Sequence, residues 1–248
     1  MDFPELVPQP PAGRVFSGRR RVRLGDVTSS GRLRLDSAVR FLQDLANDDS
    51  RDAQMEDMHG WVVRRTSLRS DAFPRYLEMV EMNTWCSGIG SHWAERRTSI
   101  VSESGKRVEA AALWVHVDLE TMRPKQIAGN FHSIVSEASG GREVGARHAV
   151  REKPTEGDES LDWQVRVTDI DALDHMNNAA YWEAIEEVVR RNGGMKTPVE
   201  IVLEHHDAVE MRDNVSVKWR QDGGHILVWH VVNGTRIAAA SRVRLLGS

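Results

Sequence analysis

The sequence has a single cysteine and no long apolar run, and both absences narrow the classes of protein to consider. The one cysteine among 248 residues is Cys86, so an internal disulfide framework is excluded and a cytoplasmic location is expected. A catalytic thiol needs a basic partner, whereas Cys86 stands in Thr-Trp-Cys-Ser-Gly, a pattern typical of a strand end. No run approaches the ~20 apolar residues that span a bilayer, so no membrane span is expected.

A strong excess of charge is also absent. The formal net charge is -4, which gives no general attraction to nucleic acid, and no nucleic-acid partner is expected. The N-terminal stretch MDFPELVPQPPAG, residues 1–13, is acidic and rich in proline. It does not resemble a signal peptide, and we expect a loose N-terminal arm.

What the chain does contain is an internal repeat. The segment RLDSAVRFLQDLA, residues 34–46, resembles DHMNNAAYWEAIE, residues 174–186. At a shift of 140 residues, Phe41 aligns with Tyr181, and Leu45 aligns with Ile185. Both segments place apolar residues at i, i+1 and i+4, which predicts two amphipathic helices, the second over about 177–191.

Two strand-turn-strand patterns follow the two helices. SGKRVEAA at 104–111 resembles NGTRIAAA at 233–240, and each follows a strand-like run. Ser-Gly and Asn-Gly pairs at such positions predict hairpins. Two more strand-like runs stand between helix and hairpin in each half, so each half reads as one long helix followed by about four strands.

This order predicts an α+β fold of the double hot-dog type. A sheet that curls around one helix buries the apolar stripe of that helix, and two such units in one chain can pair as the subunits of a dimer do. We predict a first repeat at 14–135, a polar linker at 136–160 and a second repeat at 161–248. Two unrelated α+β units are the alternative.

The segment TDIDALDHMNN, residues 168–178, is the candidate site. It precedes the second helix, and the amides at a helix N-terminus can stabilise a developing oxyanion. Asp171 could activate a water molecule, His175 could orient it, and the backbone near Asn177 could hold the oxyanion. On spacing alone, the acids could equally cap the helix, with His175 exposed to solvent.

The segment DIDALDHMNNAAYWEAIEE resembles the acyl-ACP thioesterases of plants and bacteria, in which Asp-x-Asn-x-His-x-Asn-Asn precedes the second hot-dog helix. The first half agrees too, ending in Trp-x-x-x-Asp-x-x-Thr-x-Arg-Pro, and the resemblance covers roughly 22–243. It implies a hydrolase of fatty acyl thioesters in fatty acid biosynthesis, acting on acyl carrier protein or coenzyme A thioesters. It implies no metal or redox cofactor, assigns catalysis to Asp171 and His175, and is compatible with a homodimer.

Two positions depart from the family pattern. Leu173 stands where the family has its motif Asn, and Ala208 stands where the family has a catalytic Glu. On an alternating strand, Glu210 shares the face of that position and is the candidate replacement, together with His206, whereas Asp207 should face away. The alternative function is therefore an acyl-thioester-binding protein that has lost part of the catalytic set. A hydratase is disfavoured, since no Pro lies within 171–178.

Three further sequence features could have a functional role, but each can also be explained by structure alone. Adjacent His205 and His206 should point to opposite faces of a strand, so no metal site is expected. The basic run GRRRVR at 18–23 reads as a solvated strand edge or as a dock for acyl carrier protein, which other arginines could extend: Arg64, Arg65, Arg69, Arg96 and Arg97. Tryptophans of the first repeat would shorten an acyl pocket if they line it: Trp61, Trp85, Trp93 and Trp114.

Overall fold

The fold consists of a single sheet with three α-helices, in a computed structural model that describes residues 3–55, 60–127 and 129–247. The helices are α1 (Leu35–Asp52), α2 (Phe131–Ser139) and α3 (Tyr181–Arg191). The strands of the first half are β1 (Phe16–Arg21), β2 (Trp61–Ala72), β3 (Met79–Ile89), β4 (Trp93–Ser102) and β5 (Arg107–His116). Those of the second half are β6 (Glu159–Trp163), β7 (Val199–His205), β8 (Val215–Asp222), β9 (His225–Val232) and β10 (Arg236–Leu245).

The sheet is antiparallel and has the same strand order on both sides of its centre. That order is β1-β3-β4-β5-β2-β7-β10-β9-β8-β6, and the halves join where β2 pairs with β7. Reading outward from this junction, the second strand of each half comes first and its first strand comes last. The double hot-dog prediction is thereby confirmed, and two unrelated units are excluded.

Both long helices bury their apolar stripes in one hydrophobic core against the sheet. Phe41 and Leu45 of α1 share this core with Ile185 and Val188 of α3, and each is almost fully buried. Burying a side chain of this size contributes roughly 1.5–3 kcal/mol. The amphipathic period of the two helices therefore explains why each half folds around its own helix.

The loops that lead into α1 and α3 correspond at a shift of 143 residues, so the shift of 140 predicted above for the helices was wrong by three. The bridge between Val27 and Leu33 recurs between Ile170 and Met176. Both loops turn through a left-handed residue, Gly31 or its counterpart Asp174. Apolar positions recur on a helix every three or four residues, so an alignment on helical apolar residues can slip by that amount.

A pseudo-twofold axis passes between α1 and α3. Arg40 of α1 pairs with Glu183 of α3, its own counterpart at the 143-residue shift. In an arrangement of this symmetry, a residue near the axis meets its own counterpart, and off-axis contacts come in reciprocal pairs. The repeat thus behaves as a two-subunit interface built into one chain.

The N-terminal arm is packed, contrary to the prediction that it is loose. Phe3 packs against a hydrophobic cluster on the outer face of the second half. The carbonyl of Val7 accepts a hydrogen bond of 3.0 Å from Arg97 Nε. A Cβ atom at Gly13 would lie 2.3 Å from the backbone nitrogen of Ala138, so the arm meets the end of α2 closely.

Each half has one strand before its helix, β1 in the first and β6 in the second. The basic run at 18–23 was interpreted as a solvated strand edge, which β1 confirms, whereas β6 was not predicted. Each is an outermost strand of the sheet, and the mixed sequence of β1, FSGRRR, lacks the apolar alternation of an inner strand. Helix α2 crosses the predicted linker boundary at 135–136. No helix in the described part of the chain is long and apolar enough to cross a membrane.

Candidate active site

The candidate segment forms a tight loop immediately before α3. The amide of Asp171 donates to the carbonyl of His175 at 3.0 Å, and the amide of Asp174 donates to the carbonyl of Asp171 at 3.1 Å. These bonds bring the backbones of Asp171 and His175 together at the base of the loop, with the side chain of His175 exposed. Leu173 lies at the tip, with its side chain 76% exposed.

Two donors orient the carboxylate of Asp171. One oxygen accepts the backbone amide of Leu173 at 2.9 Å, and the other accepts the side-chain amide of Asn177 at 3.2 Å. Leu173 thus binds Asp171 through its backbone amide. The side-chain amide that the family's motif Asn would offer at position 173 is supplied to Asp171 by Asn177. The sequence prediction assigned only the backbone of Asn177, and it missed this side-chain contact.

Some of the backbone amides that lead into α3 have acceptors within the described residues, and the amide of Asn178 does not. The amide of Asn177 donates to the carbonyl of Asp169 at 2.8 Å. The side-chain oxygen of Asn177 accepts the amide of Ala179, and its carbonyl accepts the amide of Ala180. Within the described residues, no acceptor is found for the amide between them, that of Asn178. The amide of Asn178, one residue after the predicted Asn177, is therefore a donor that could hold an oxyanion.

The corresponding amide of the first half is closed by a carboxylate. Leu35, the counterpart of Asn178, donates its amide to a side-chain oxygen of Glu186 at 3.1 Å. Arg32, the counterpart of His175, pairs with the same carboxylate. An anionic oxygen is thus bound by this amide in one half of the molecule, whereas no described residue provides an acceptor at the same position in the other half.

The carboxylate of Asp207 lies near His175, although strand alternation predicted that Asp207 faces away from the site. The carboxylate of Asp207 accepts hydrogen bonds from Arg236 and from the amide of Ala208. The pKa of Asp207 is lowered, mainly by the hydrogen bond from Arg236, and nearby His175 adds to the effect. The alternation of β7 ends at His205, because the next two amides both turn back to the carbonyl of Ala238.

Glu210, the predicted replacement for the family's catalytic Glu, lies in the loop after β7. Its amide donates to Asp213 at 2.9 Å, and the amide of Asp213 donates back to its carbonyl. The side chain of Glu210 is exposed, and no contact joins it to Asp171 or His175 within the described residues. The structure therefore groups Asp207, rather than Glu210, with His175.

A small cavity extends from Asn178 into the first half, between α1 and strands β2, β4 and β5. Its volume is about 20 Å³, close to that of a single water probe. Trp114 lines it, which identifies the tryptophan that limits this space. The cavity is lined by Val39, Leu42, Gln43, Ala46, Val63, Thr66, Arg96, Thr98, Ala110, Ala112, Trp114 and Asn178.

Residues 13–135 match the acyl-ACP thioesterase N-terminal domain family, and residues 152–242 match the acyl-ACP thioesterase C-terminal domain family. The chain belongs to the acyl-ACP thioesterase family. A protein of Mycobacterium tuberculosis that is itself uncharacterized is 24% identical over 242 residues, covering 97% of this chain and 96% of its own.

Solved acyl-ACP thioesterases share the fold. An acyl-ACP thioesterase from Bacteroides thetaiotaomicron has a TM-score of 0.78 at 18% identity, covering 93% of this chain and 97% of its own. A 12:0-ACP thioesterase from Umbellularia californica has a TM-score of 0.76 at 16% identity, covering 93% and 96%. At these identities the likeness concerns the fold, and it agrees with the strand order described above.

Two histidines lie beneath α3 of this thioesterase-family chain: His230 is fully buried, and His205 is half-buried with its Nε2 enclosed. The rings of His205 and His230 each lie 4.9 Å from the ring of Tyr181 in edge-on contact. Burial lowers the pKa of His205 to about 3 and that of His230 to about 4, the latter effect partly offset by the backbone of Tyr181. Both imidazoles are therefore neutral at pH 7, and charging either one would disfavour the fold.

A second histidine cluster lies on the outer face of the sheet. Possible ligand atoms of His148, Glu204 and His206 lie within 4.8 Å of one another, so His206 joins Glu204 without its neighbour His205. However, the oxygens of Glu204 already accept the amides of residues 149 and 150. The guanidinium of Arg64 also lies 3.1 Å from the ring of His148. We interpret the cluster as an anchor for this segment of the chain rather than as a metal site.

Of three residues discussed with the sequence, Cys86 and Arg97 are buried and Arg96 is half-buried. Burial raises the pKa of the Cys86 thiol to about 11, so it is not an activated nucleophile. Arg97 is 2% exposed, and Arg96 pairs with the buried carboxylate of Asp49. Arg97 therefore cannot extend a docking surface from the run at 18–23, and the extension predicted through it was wrong.

Proposed function

We propose that this protein hydrolyses fatty acyl thioesters in the cytoplasm during fatty acid biosynthesis. The acyl chain is carried on the phosphopantetheine arm of acyl carrier protein, with coenzyme A as the alternative carrier. One observation carries the proposal: the open amide of Asn178 lies between the oriented carboxylate of Asp171 and a mainly apolar cavity. A thioester carbonyl placed there has a base on one side and, on the other, an apolar cavity that must widen from about 20 Å³ to admit an acyl chain.

The chemistry requires water and the residues of the loop. The water oxygen bonds to the carbonyl carbon while its proton passes to the carboxylate of Asp171. The carbonyl oxygen becomes an oxyanion that accepts the amide of Asn178, where the N-terminus of α3 also favours negative charge. The carbon–sulfur bond then breaks, and the thiolate takes the proton from Asp171. His175, beside Asp207, orients the water.

A thiol-release assay tests the proposal. Purified protein is mixed with acyl-ACP and acyl-pantetheine substrates of graded chain length, and the free thiol is measured with a thiol-reactive dye. We expect catalytic release of one thiol and one fatty acid for each thioester consumed. Saturable binding without thiol release would instead support the acyl-binding alternative. Addition of water to an enoyl thioester would support a hydratase.

Trp114 is expected to limit the length of the acyl chain. Trp114→Ala should raise the ratio of kcat/KM for longer over shorter acyl chains by at least about tenfold, because one extra methylene held in an apolar pocket is worth roughly 1–3 kcal/mol. Trp93→Ala is the matched control, since the indole of Trp93 bonds the carbonyl of Val144 and does not line the cavity. An unchanged ratio in the Trp114 variant would place the acyl chain elsewhere.

A further inference from the structure

The side chain that binds the backbone amide at the start of α1 indicates which side chain lies near the free backbone amide before α3. Glu186 closes the amide of Leu35, and at the 143-residue shift the counterparts of these residues are Gln43 and Asn178. We propose that the side-chain amide of Gln43 is a second donor to the thioester carbonyl oxygen, acting together with the backbone amide of Asn178. This inference rests on the proposed function and adds a substrate-contacting residue from the first half.

Reciprocal contacts support this placement. Arg40 meets its own counterpart Glu183 across the pseudo-twofold axis, so an off-axis contact from α3 to the start of α1 should have a partner running from α1 to the start of α3. The contact of Glu186 with Leu35 is the first of these. The reciprocal contact expected from the symmetry runs from Gln43 to Asn178.

The cavity provides independent support. Gln43 and Asn178 both line it, although they belong to different halves of the chain. The side chain of Gln43 is half-buried, and within the described residues no hydrogen-bond partner is found for its amide. A polar side chain at this position, beside an open backbone amide, is suited to a ligand oxygen.

There is a chemical reason for a glutamine at position 43 where its counterpart, position 186, has a glutamate. A carboxylate at position 43 would itself occupy the amide of Asn178, as Glu186 occupies that of Leu35. It would also repel the oxyanion of the tetrahedral intermediate. A carboxamide carries two N–H donors and no charge, so it can stabilise that oxyanion.

Gln43→Glu is therefore the decisive variant. We expect it to lower kcat/KM about 10²–10³-fold at pH 8, the loss typical for an oxyanion donor, and to recover part of the rate as the pH falls and the new carboxyl group is protonated. Gln43→Ala should lose less than Gln43→Glu, because it leaves the amide of Asn178 open. Glu186→Gln, the matched change at the closed end, should reduce stability and retain the rate.

Binding of a non-hydrolysable analogue separates this inference from the proposed function. The probe is an acyl-pantetheine ketone in which a methylene replaces the thioester sulfur. Weaker binding to Gln43→Glu, by tenfold or more, supports the contact even if the wild-type protein releases no thiol, which would refute only the hydrolase. Wild-type binding and rate in Gln43→Glu would overturn the inference, as would equal losses in the Glu and Ala variants without recovery at low pH.

Discussion

Asp171→Asn is expected to lower kcat for acyl-thioester hydrolysis by roughly 10²–10⁴-fold, the range typical of a lost general base. The asparagine side-chain oxygen can still accept the amide of Leu173, which bonds Asp171 at 2.9 Å. It cannot accept the proton of the attacking water at neutral pH. Steady-state kinetics with the best acyl-ACP substrate would measure the loss, and circular dichroism would show that the fold is retained.

Asp174→Asn is the matched control in the same loop. Asp174 has a left-handed φ of 60°, a conformation that asparagine tolerates well, and its exposed side chain lies outside the proposed site. This variant should keep the wild-type rate. Asp207→Asn should cost less than Asp171→Asn, because Asp207 acts through His175. A full rate in Asp171→Asn would remove Asp171 from the mechanism.

The free energy of unfolding should fall by about 4 kcal/mol between pH 7 and pH 5, because two histidines are buried in the neutral form. Their folded-state pKa values are about 3 for His205 and about 4 for His230, against 6.5 when exposed. As the pH falls below about 6.5, the unfolded chain binds protons at His205 and His230 that the folded chain does not, and the lowered pKa of partly buried His206 acts in the same direction. Stability is therefore present above this pH and is lost toward the folded-state values.

Urea unfolding at several pH values would measure this slope, which approaches about 2.7 kcal/mol per pH unit below pH 6 for the pair. His205→Leu and His230→Leu should each remove about half of it. His132→Leu, at an exposed position on α2, controls for the loss of an imidazole and should keep the wild-type slope. A flat dependence from pH 7 to pH 5 would contradict the assignment of both histidines as buried and neutral.

The repeat architecture could be predicted because two local sequence patterns determine it. Amphipathic helices and Gly-containing hairpin turns recur in the same order, and both determine structure over short range. The correct shift of 143 residues was harder to predict, because the loops before the helices determine it and the helices themselves do not. The bridge from Val27 to Leu33 and its counterpart from Ile170 to Met176 fix it.

The composition of the candidate site was only partly predictable. Asp171 and His175 are neighbours in one loop, so short-range pattern and family resemblance both point to them. Asp207 comes near His175 because β7 ends earlier than its sequence alternation suggests. Gln43 comes from a helix more than a hundred residues away, and only the packing of α1 against α3 relates it to Asn178.

The pairing of Arg40 with Glu183 has a consequence for how the two ends of the interface can differ. In an assembly of two identical subunits, each position must serve both ends, so a residue that seals one would seal the other. A tandem chain is free of this constraint, and here it carries glutamate at one end and glutamine at the other. Titration with the ketone probe should accordingly reach one equivalent for each 28.0 kDa polypeptide, where a homodimer of single units would bind two for the same mass.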